Sequence, residues 1–342
     1  MLTGSNRSRV RRVRAGSRSL IVKEFTTGGE GWVRESAALA VIPEGVRVPR
    51  LVATDGVPPI VVMTDAGTGP SVADALLGRD AAAAGDAVVA WAAAIGDLHR
   101  ATAGSRTAFR AALDARAGDL PVAESMMPAL LDEAADVIAR SAADFGVEVP
   151  AGALDELRKL DDRLEVAALT PADACPDNNV FTDDGLVLID FESAQWRPVA
   201  WDVAYLTVPW PSCWCSWRIP AAVTERAVDA YRAAFPGCGA GPAAFRREVA
   251  AAATGWAYLS ASWFLPRALP DDPPSAHPDR PRPSLRTLIL HRLGQARRSA
   301  DAGTPALGEL AGRLHAALTG HWGDRPLSYA PAFTDERRAR PG

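Results

Sequence analysis

Three polar residues near one another in the chain could together carry out magnesium-dependent phosphoryl transfer. Asp173 is followed five residues later by Asn178, and Asp190 ends the apolar run LVLID. A carboxylate can orient an attacking hydroxyl and accept its proton, while Mg²⁺ takes oxygen ligands from carboxylate and amide groups. The pattern therefore predicts Asp173 as the catalytic base and Asn178 and Asp190 as metal ligands.

A predicted hairpin would bring the two metal ligands together. Residues 179–182 and 186–189 are short apolar runs separated by DDG, a turn signal typical of hairpins. Asn178 then lies just before the first strand and Asp190 just after the second. We expect both side chains at the same edge of the hairpin, where one cation could bind both.

This segment resembles the aminoglycoside phosphotransferase family, small-molecule kinases with the protein-kinase-like fold. The catalytic loop of that family reads HGD with an Asn five residues after the Asp, and an apolar strand ending in Asp follows. The resemblance implies the same roles for Asp173, Asn178 and Asp190, and it makes Asp202, in WDVAYL, a brace of the catalytic loop. His99, in IGDLHRATAG, also resembles a frequent family pattern, and we expect it to pack or cap there.

The catalytic loop departs from the family pattern at the two residues before Asp173. Pro171 and Ala172 stand where the family has His and Gly. Because that His does not itself transfer phosphate, the change concerns the geometry of the loop more than its chemistry. An active enzyme is expected.

The first 42 residues carry the elements that hold a nucleotide in kinases of this fold. Gly4, Ser5 and Asn6 form a predicted turn of small residues, which lets backbone amides approach phosphate oxygens. Lys23 lies in the predicted strand SLIVKEF and would reach the phosphates as a point charge. Glu35, twelve residues on in a helical pattern, could pair with Lys23. Since the turn begins almost at the first residue, we expect the strand that should precede it to be missing.

The predicted adenine-binding segment follows a second hairpin. Residues 48–54 and 58–64 flank Asp-Gly, as hairpin strands do. The second run ends at Met63, Thr64 and Asp65, where the resemblance places the backbone that binds adenine. The segment AGTGP that comes next is the predicted crossover between two lobes.

Length and periodicity predict two lobes with many helices in the second, and the resemblance implies an α+β, two-lobed protein-kinase-like fold. At 342 residues the chain exceeds the size at which single cores stop growing. We expect a small antiparallel-sheet, nucleotide-binding lobe at residues 1–66 and a larger, mostly helical lobe at residues 67–342 with the catalytic loop and acceptor site. Residues 266–283 read as a loop, and little order is expected after Arg325. Helical spacing predicts helices at 79–103, 126–145, 154–166, 221–235, 243–262, 284–300 and 307–318.

Composition and charge restrict the class of protein. Hydrophobic and charged contents of 48% and 23% are ordinary for globular proteins, so a packed core is expected. The net charge of −4 argues against a nucleic-acid partner, which would require clustered Lys and Arg. No uninterrupted apolar segment of bilayer-spanning length is evident, and no signal-peptide core follows the Arg-rich N-terminus. We expect a cytoplasmic protein with no membrane partner.

The cysteines and tryptophans have mainly structural interpretations. The four cysteines do not form paired CxxC units typical of metal sites. Cys213 and Cys215 are separated only by Trp214, and we expect them to be reduced thiols. We expect Cys175 to be a small packing residue whose oxidation could affect activity. Five tryptophans between Trp196 and Trp217 could form an aromatic wall for a ring-bearing or cationic acceptor, although packing is their commoner role.

These patterns predict an ATP-dependent phosphotransferase that moves the γ-phosphate to a hydroxyl of a small molecule, with ATP and Mg²⁺ as cofactors. The resemblance implies an aminoglycoside or other antibiotic, an amino alcohol or a sugar as the acceptor. Acidic residues near the cleft, with Asp271 and Asp272 as candidates, would favour a polyamine or aminoglycoside. Two alternatives stay open: a nucleotide-binding pseudokinase with a regulatory role, which the Pro171-Ala172 pair motivates, and nucleotidyl transfer on the same fold.

Overall fold

An antiparallel sheet forms the first part of the chain in the computed structural model, which describes residues 7–270, 272, 281–298 and 303–334. Its strands are β1 (Ser8–Ala15), β2 (Arg18–Phe25), β3 (Leu51–Gly56) and β4 (Pro59–Thr64). They lie in the order β1-β2-β4-β3, with each neighbouring pair antiparallel. Lys23 therefore lies on a central strand, opposite Val10 on one side and Val61 on the other.

Helix α1 (Glu30–Val41) covers one face of this sheet. Its Ala-rich sequence favours helix, and it ends where Ile42 adopts an extended conformation before Pro43. Val33 and Ala37 of the helix are fully buried, as is Val61 of β4. The same helix carries Glu35 into the interior beneath the sheet, where it is 1% exposed.

The connection from the sheet to the helical part is held tightly against a later strand. The amide of Phe181 donates to the carbonyl of Pro70 at 2.8 Å. A Cβ atom added at Gly69 would lie 1.8 Å from the carbonyl oxygen of Phe181. The predicted lobe boundary after residue 66 falls within this connection, between the end of β4 and the first residue of the next helix.

Helices make up most of the remaining chain. Those before the catalytic segment are α2 (Val72–Leu77), α3 (Ala81–Thr102), α4 (Arg106–Ala117), α5 (Met127–Asp144) and α6 (Ala153–Arg158). Those after it are α7 (Ala200–Val203), α8 (Ala221–Ala234), α9 (Pro242–Ala268), α10 (Leu285–Ala296) and α11 (Pro305–Trp322). Helix α3 packs along α8, and α9 packs against both α5 and α10, so the main core lies among these helices.

By length and composition alone, α3 could cross a membrane. The sequence analysis did not predict this, because the helix is built largely of alanine. Half of its most apolar window is buried, and Trp91, Ile95 and Leu98 point into the core with at most 1% exposure. We therefore describe α3 as a core helix.

Two short antiparallel strand pairs frame the catalytic segment. The first pair is β5 (Ala167–Thr170) with β8 (Gln195–Pro198), and the second is β6 (Asn179–Thr182) with β7 (Gly185–Leu188). The second pair confirms the predicted hairpin to within one residue. Gly185 at its turn has φ of 115°, a conformation that an L side chain rarely adopts.

The predicted helices are found, and two of them differ most in extent from the prediction. The predicted helix at 154–166 stops at Arg158, because Asp161–Arg163 form a single 3₁₀ turn and Ala167 starts β5. Helix α9 runs on to Ala268, so Pro266, placed in a loop by the sequence, lies in its last turn and removes one backbone hydrogen bond there. Helix α4 was not predicted.

The chain after Arg325 is folded as far as the structure describes it. Leu327 is 3% exposed and Ala330 is fully buried. The amide of Arg218 donates to the carbonyl of Ser328 at 3.1 Å, which joins this segment to the region before α8. These contacts explain why residues 326–334, for which the sequence predicted little order, pack on the body of the protein.

Candidate active site

The catalytic loop, residues 171–179, connects β5 to β6 and is shaped by its own side chains. The amide nitrogen Nδ2 of Asn178 donates to the carbonyl of Asp173 at 2.7 Å, which leaves the amide oxygen Oδ1 of Asn178 as a ligand group. Ala172 has φ of 61°, in the left-handed region that favours glycine. The family pattern has Gly at this position, and glycine adopts a positive φ without steric cost.

Asn179 fastens the catalytic loop to the start of α2. Its side-chain oxygen accepts from the amide of Val72 at 2.9 Å, and its Nδ2 donates to the carbonyl of Pro176 at 3.0 Å. The amide of Ala73 also donates to Pro176, at 2.7 Å. A side chain that is 2% exposed thus connects two segments more than one hundred residues apart.

The β6–β7 hairpin brings the two predicted metal ligands to one edge. The amide of Ile189 donates to the carbonyl of Asn178 at 3.1 Å, so the residue after Ile189 leaves the hairpin beside Asn178. That residue, Asp190, has φ of 66°, a conformation that Asp tolerates better than most side chains. Its Oδ1 accepts from Nζ of Lys23 at 2.6 Å.

Lys23 lies at the centre of a buried cluster of charge. Its Nζ is 2.7 Å from Glu35, 2.6 Å from Asp190 and 2.9 Å from Glu192. Burial alone would lower the pKa of Lys23, but the three carboxylates together raise it. Burial also raises the pKa of Glu35 to about 7, against the opposing effect of Lys23. One ammonium thus faces three carboxyl groups, and negative charge is in excess.

Sequence reasoning missed Glu192 because it stopped at Asp190. No local pattern reveals this contact, because Asp190 has a left-handed backbone conformation and the chain turns there, which brings Glu192 to the same ammonium as Asp190. Glu192 also pairs with Arg7 at 2.9 Å. Carboxylate oxygens of Glu35, Asp190 and Glu192 all lie within 4.8 Å of one another. Lys23 lies among these three carboxylates, and the negative charge left in excess suits a hard divalent cation such as Mg²⁺ at Asp190, at the edge of the cluster.

Asp173 lies next to this cluster and is partly buried. Burial raises the pKa of its carboxyl to about 6, with Asp190 and Asp177 adding to the rise and a hydrogen bond from Ser212 opposing it. Ser212 Oγ donates to Oδ1 of Asp173 at 3.0 Å. A carboxylate with a pKa closer to neutrality is a better proton acceptor than an ordinary aspartate.

A disulfide joins Cys175 of the catalytic loop to Cys213, with their Cα atoms 5.8 Å apart. The expectation of a reduced thiol at Cys213 was therefore wrong, because 38 residues of chain fold back to place the two cysteines together. Cys215 and Cys238 are free and buried, as expected for Cys215. Sequence spacing cannot reveal a pairing that only tertiary structure creates.

Asp202 braces the catalytic loop through Arg197 rather than directly. Asp202 is fully buried, and its carboxylate accepts from Arg197 and lies 3.3 Å from Nε2 of His99. Arg197 also donates to the carbonyl of Ala172 at 3.3 Å. Burial alone would raise the pKa of Asp202, but Arg197 and His99 lower it. His99 Nδ1 is 2.9 Å from the hydroxyl of Tyr231, so His99 packs inside the helical part, as expected.

The segment predicted to bind adenine lies where β4 ends. Met63 is buried in β4, and Thr64 is bonded to Arg50 through its amide and its hydroxyl. The carboxylate of Asp65 accepts from Arg12 at 2.9 Å and from Ser19 at 2.6 Å. Arg12 is the main reason that the pKa of Asp65 is lowered to about 2. The Asp65 side chain is thus used to hold β1 and β2, which leaves the backbone for any adenine contact.

Several predicted groups lie elsewhere or outside the described residues. Gly4, Ser5, Asn6 and Asp271 are outside the part of the chain that the structure describes. Asp272 accepts from the amide of Leu285 at 2.9 Å and so contacts the first residue of α10.

The tryptophans mostly pack, as the sequence favoured. Trp201 and Trp210 are fully buried. Trp214 is partly exposed, and its Nε1 donates to Oδ2 of Asp177 at 2.7 Å, beside the catalytic loop. Of the five tryptophans, Trp214 therefore has the position best suited to contact an acceptor.

Solved structures with similar folds come from small-molecule kinases. A choline/ethanolamine kinase family protein from Mesorhizobium loti is 16% identical, with a TM-score of 0.50 over 89% of this chain and 92% of that one. An ethanolamine kinase from Plasmodium vivax is 11% identical, with a TM-score of 0.55 over 87% and 81% of the two chains. An amicoumacin kinase in complex with AMP-PNP, Ca²⁺ and amicoumacin is 13% identical, with a TM-score of 0.52 over 88% and 87%. These likenesses confirm the two-lobed, protein-kinase-like fold.

Among curated protein sequences, none matches this chain. The sequence model of the phosphotransferase enzyme family matches residues 2–264, which include both the Lys23 strand and the catalytic loop. The chain therefore belongs to the phosphotransferase enzyme family.

Proposed function

We propose that this protein is an ATP-dependent kinase that transfers the γ-phosphate to a hydroxyl group of a small molecule. The observation that carries the proposal is the convergence of Asp173, Asn178 and Asp190 beside the buried Lys23. Family membership and the kinase fold support the same reaction class. The complex of the similar amicoumacin kinase with AMP-PNP and Ca²⁺ supports nucleotide and divalent cation as cofactors.

Each residue has a distinct role in this proposal. Asp173 accepts the proton of the acceptor hydroxyl and orients its oxygen toward the phosphorus. Asn178 and Asp190 hold Mg²⁺, which neutralises phosphate charge when bound. Lys23 contacts phosphate oxygens, and Glu35 keeps Lys23 in place.

The surroundings of Asp173 favour an acceptor that carries an amine. Asp177 and Asp190 both raise the pKa of Asp173, so the site has an excess of negative charge that attracts cations. Trp214 offers an aromatic surface next to Asp177, and a cationic group can bind over such a ring. Amino alcohols and aminoglycosides have this chemistry. A cytoplasmic location, where ATP is abundant, is part of the same proposal.

The test measures release of ADP and pyrophosphate from Mg-ATP with a pooled panel of aminoglycosides, other hydroxylated antibiotics, amino alcohols and sugars. Wild-type protein should release ADP faster when its acceptor is present. Asp173→Asn should lower the rate about 10²- to 10⁴-fold while nucleotide binding persists. Asp184→Asn, which removes an exposed carboxylate at the turn of the β6–β7 hairpin, is the matched control and should behave as wild type.

Three results would contradict the proposal. Pyrophosphate as the product would indicate nucleotidyl transfer. Nucleotide binding without any product across the panel would favour a pseudokinase. Equal ADP release by wild type and Asp173→Asn would remove Asp173 from the mechanism.

A further inference from the structure

We propose that Ser212 is a positioning residue for Asp173: it holds Oδ1 of the carboxylate so that Oδ2 faces the acceptor hydroxyl. This inference rests on the proposed function, in which Asp173 is the base. No motif singles Ser212 out in the sequence, since it lies 39 residues after Asp173 in the tryptophan loop, defined as residues 209–217. Folding places it beside the catalytic loop.

The hydrogen-bond pattern around Ser212 fixes which way its hydroxyl donates. Ser212 Oγ is 3.0 Å from Oδ1 of Asp173 and 2.8 Å from the hydroxyl of Tyr205. An ionised carboxylate can only accept, so Ser212 donates to Asp173 and accepts from Tyr205. Tyr205 is fully buried and also lies 3.2 Å from the carbonyl of Ala172. A buried phenol thus holds an exposed serine in place against the predicted base.

The disulfide also holds Ser212 close to Asp173, because it joins residues next to them in the chain. Cys213, next to Ser212, is bonded to Cys175, two residues after Asp173. Sγ of Cys175 lies 3.1 Å from Oδ1 of Asp173, but a disulfide sulfur has no hydrogen to donate. Among these neighbours, Ser212 is therefore the hydroxyl donor to Oδ1. The peptide bond to Cys213 and the disulfide to Cys175 limit how far Ser212 can move from Asp173.

The tryptophan loop is braced by contacts within itself and by one contact to α10. Ser216 Oγ is within hydrogen-bond distance of the carbonyls of Trp210, at 2.8 Å, and Cys213, at 2.6 Å. Arg292 donates to the carbonyl of Pro211 at 3.3 Å. The loop that carries Ser212 is therefore braced from within and tied to α10, and such support is what a positioning contact requires.

Positioning has consequences that a purely structural contact lacks. A carboxylate without Ser212 can rotate about its χ2 angle, so its lone pairs meet the acceptor hydroxyl in the right direction less often. The chemical step should slow, while Mg-ATP binding should not change. Because Ser212 is exposed, removing its hydroxyl leaves no cavity in the core.

The experiment compares wild type with Ser212→Ala, Ser212→Thr and Tyr205→Phe. Ser212→Ala should lower kcat roughly tenfold or more, the factor typical for loss of one hydrogen bond to a charged group, with KM for Mg-ATP unchanged. Ser212→Thr keeps the hydroxyl and should recover most of kcat. Tyr205→Phe should lower kcat less than Ser212→Ala, because Ser212 keeps its own hydrogen bond to Asp173. Thermal unfolding of each variant serves as the folding control.

A second measurement does not depend on turnover. In protein labelled with ¹³C at aspartate carboxyl carbons, the Asp173 resonance, assigned from its loss in Asp173→Asn, should shift at fixed pH 8 in Ser212→Ala and return toward wild type in Ser212→Thr. An unshifted resonance in Ser212→Ala, or equal kcat in the Ala and Thr variants, would overturn the proposal. If the resonance shifts but wild type turns over no acceptor, the Ser212 contact stands and the proposed function fails.

Discussion

At the residue scale, Ala172 stands where the family pattern has glycine and adopts a positive φ that favours glycine. An alanine with φ of 61° costs roughly 1–2 kcal/mol relative to its relaxed conformation. Arg197 donates to the carbonyl of Ala172, and this contact holds the strained peptide. The strained conformation is thus held by a side chain from outside the catalytic loop.

Ala172→Gly should therefore stabilise the protein. Relief of strain gains roughly 1–2 kcal/mol, and the greater freedom of glycine in the unfolded chain costs about 0.4–1 kcal/mol, so a net gain of about 0.5–1 kcal/mol is expected. Urea unfolding measures it. Ala168→Gly, at a fully buried position of β5, is the matched control and should lower the free energy of unfolding. If both variants lose stability, the strain argument is wrong.

Asp173 is expected to destabilise the fold above neutral pH. Its pKa in the folded protein is raised to about 6 by burial. The contribution of the neutral carboxyl to the free energy of unfolding is therefore fully present below the ordinary aspartate pKa near 4, and it is lost as pH rises through about 6. Asp173→Asn, which carries no charge, should match wild type at pH 4 and exceed it at pH 8 by up to about 3 kcal/mol.

Unfolding experiments at pH 4, 5, 6 and 8 provide the measurement. Asp184→Asn, at an exposed turn position, should follow the wild-type curve at every pH. A difference between Asp173→Asn and wild type that stays constant with pH would exclude titration of Asp173 as its cause. Loss of activity together with gained stability is what a buried functional charge predicts.

The predicted site residues that the structure brings together are those with local signals. Asp173, Asn178 and Asp190 lie within 18 positions, in a loop and hairpin whose geometry follows from spacing. Lys23 and Glu35 were found because one polar residue interrupted an apolar strand and a helical pattern followed. Ser212 and the Cys175–Cys213 pair could not be predicted, since their contacts exist only after the tryptophan loop folds over the catalytic loop.

At the element scale, helices were predicted well wherever apolar periodicity was continuous. The errors fall where another element begins inside a predicted helix. After Arg158, a 3₁₀ turn and the start of strand β5 replace the predicted end of the helix. Helix α4 was not predicted because Phe109 and Leu113 are its large apolar residues, too few to show a clear helical period. It packs against α1, so tertiary contact rather than sequence pattern stabilises it.

The disulfide between the two loops should stabilise the fold through the unfolded chain. A crosslink across 38 residues reduces the entropy of the unfolded state, and the expected contribution is about 4 kcal/mol. Reduction should lower the free energy of unfolding by about this amount. Denatured protein should show two reactive thiols before reduction, from Cys215 and Cys238, and four after it.

Cysteine variants separate this contribution from general effects of the reductant. A Cys175→Ser, Cys213→Ser double variant should unfold like reduced wild type and show no response to reductant. Cys215→Ser should respond as wild type does. Four reactive thiols in unreduced protein would mean that the two loops are not crosslinked.

At the scale of the whole molecule, the two lobes are joined by buried polar contacts as well as by the connection after β4. Arg34 of α1 is 1% exposed and donates to the carbonyls of Ala123 and Ala194, both at 3.0 Å. Lys23 reaches Asp190 and Glu192 across the same boundary. The order of motifs predicted two lobes, but it could not predict that a buried arginine links them.

The close approach of the connection to β6 determines which substitutions the chain tolerates there. At Gly69 any side chain begins with a carbon 1.8 Å from the carbonyl oxygen of Phe181, and backbone cannot move away as a flexible side chain would. Gly67, two residues earlier, has φ of 94° with open space around its Cβ position. The two glycines therefore have different constraints, one spatial and one conformational.

A library with all amino acids at each position, selected for folded protein by a fused reporter, would reveal the difference. Position 69 should return glycine alone, whereas position 67 should also return Asn and Asp, which adopt positive φ most readily after glycine. Recovery of alanine at position 69 would show that the connection can lift off β6. The connection between the two lobes therefore contains one position, residue 69, where a single methyl group is too large.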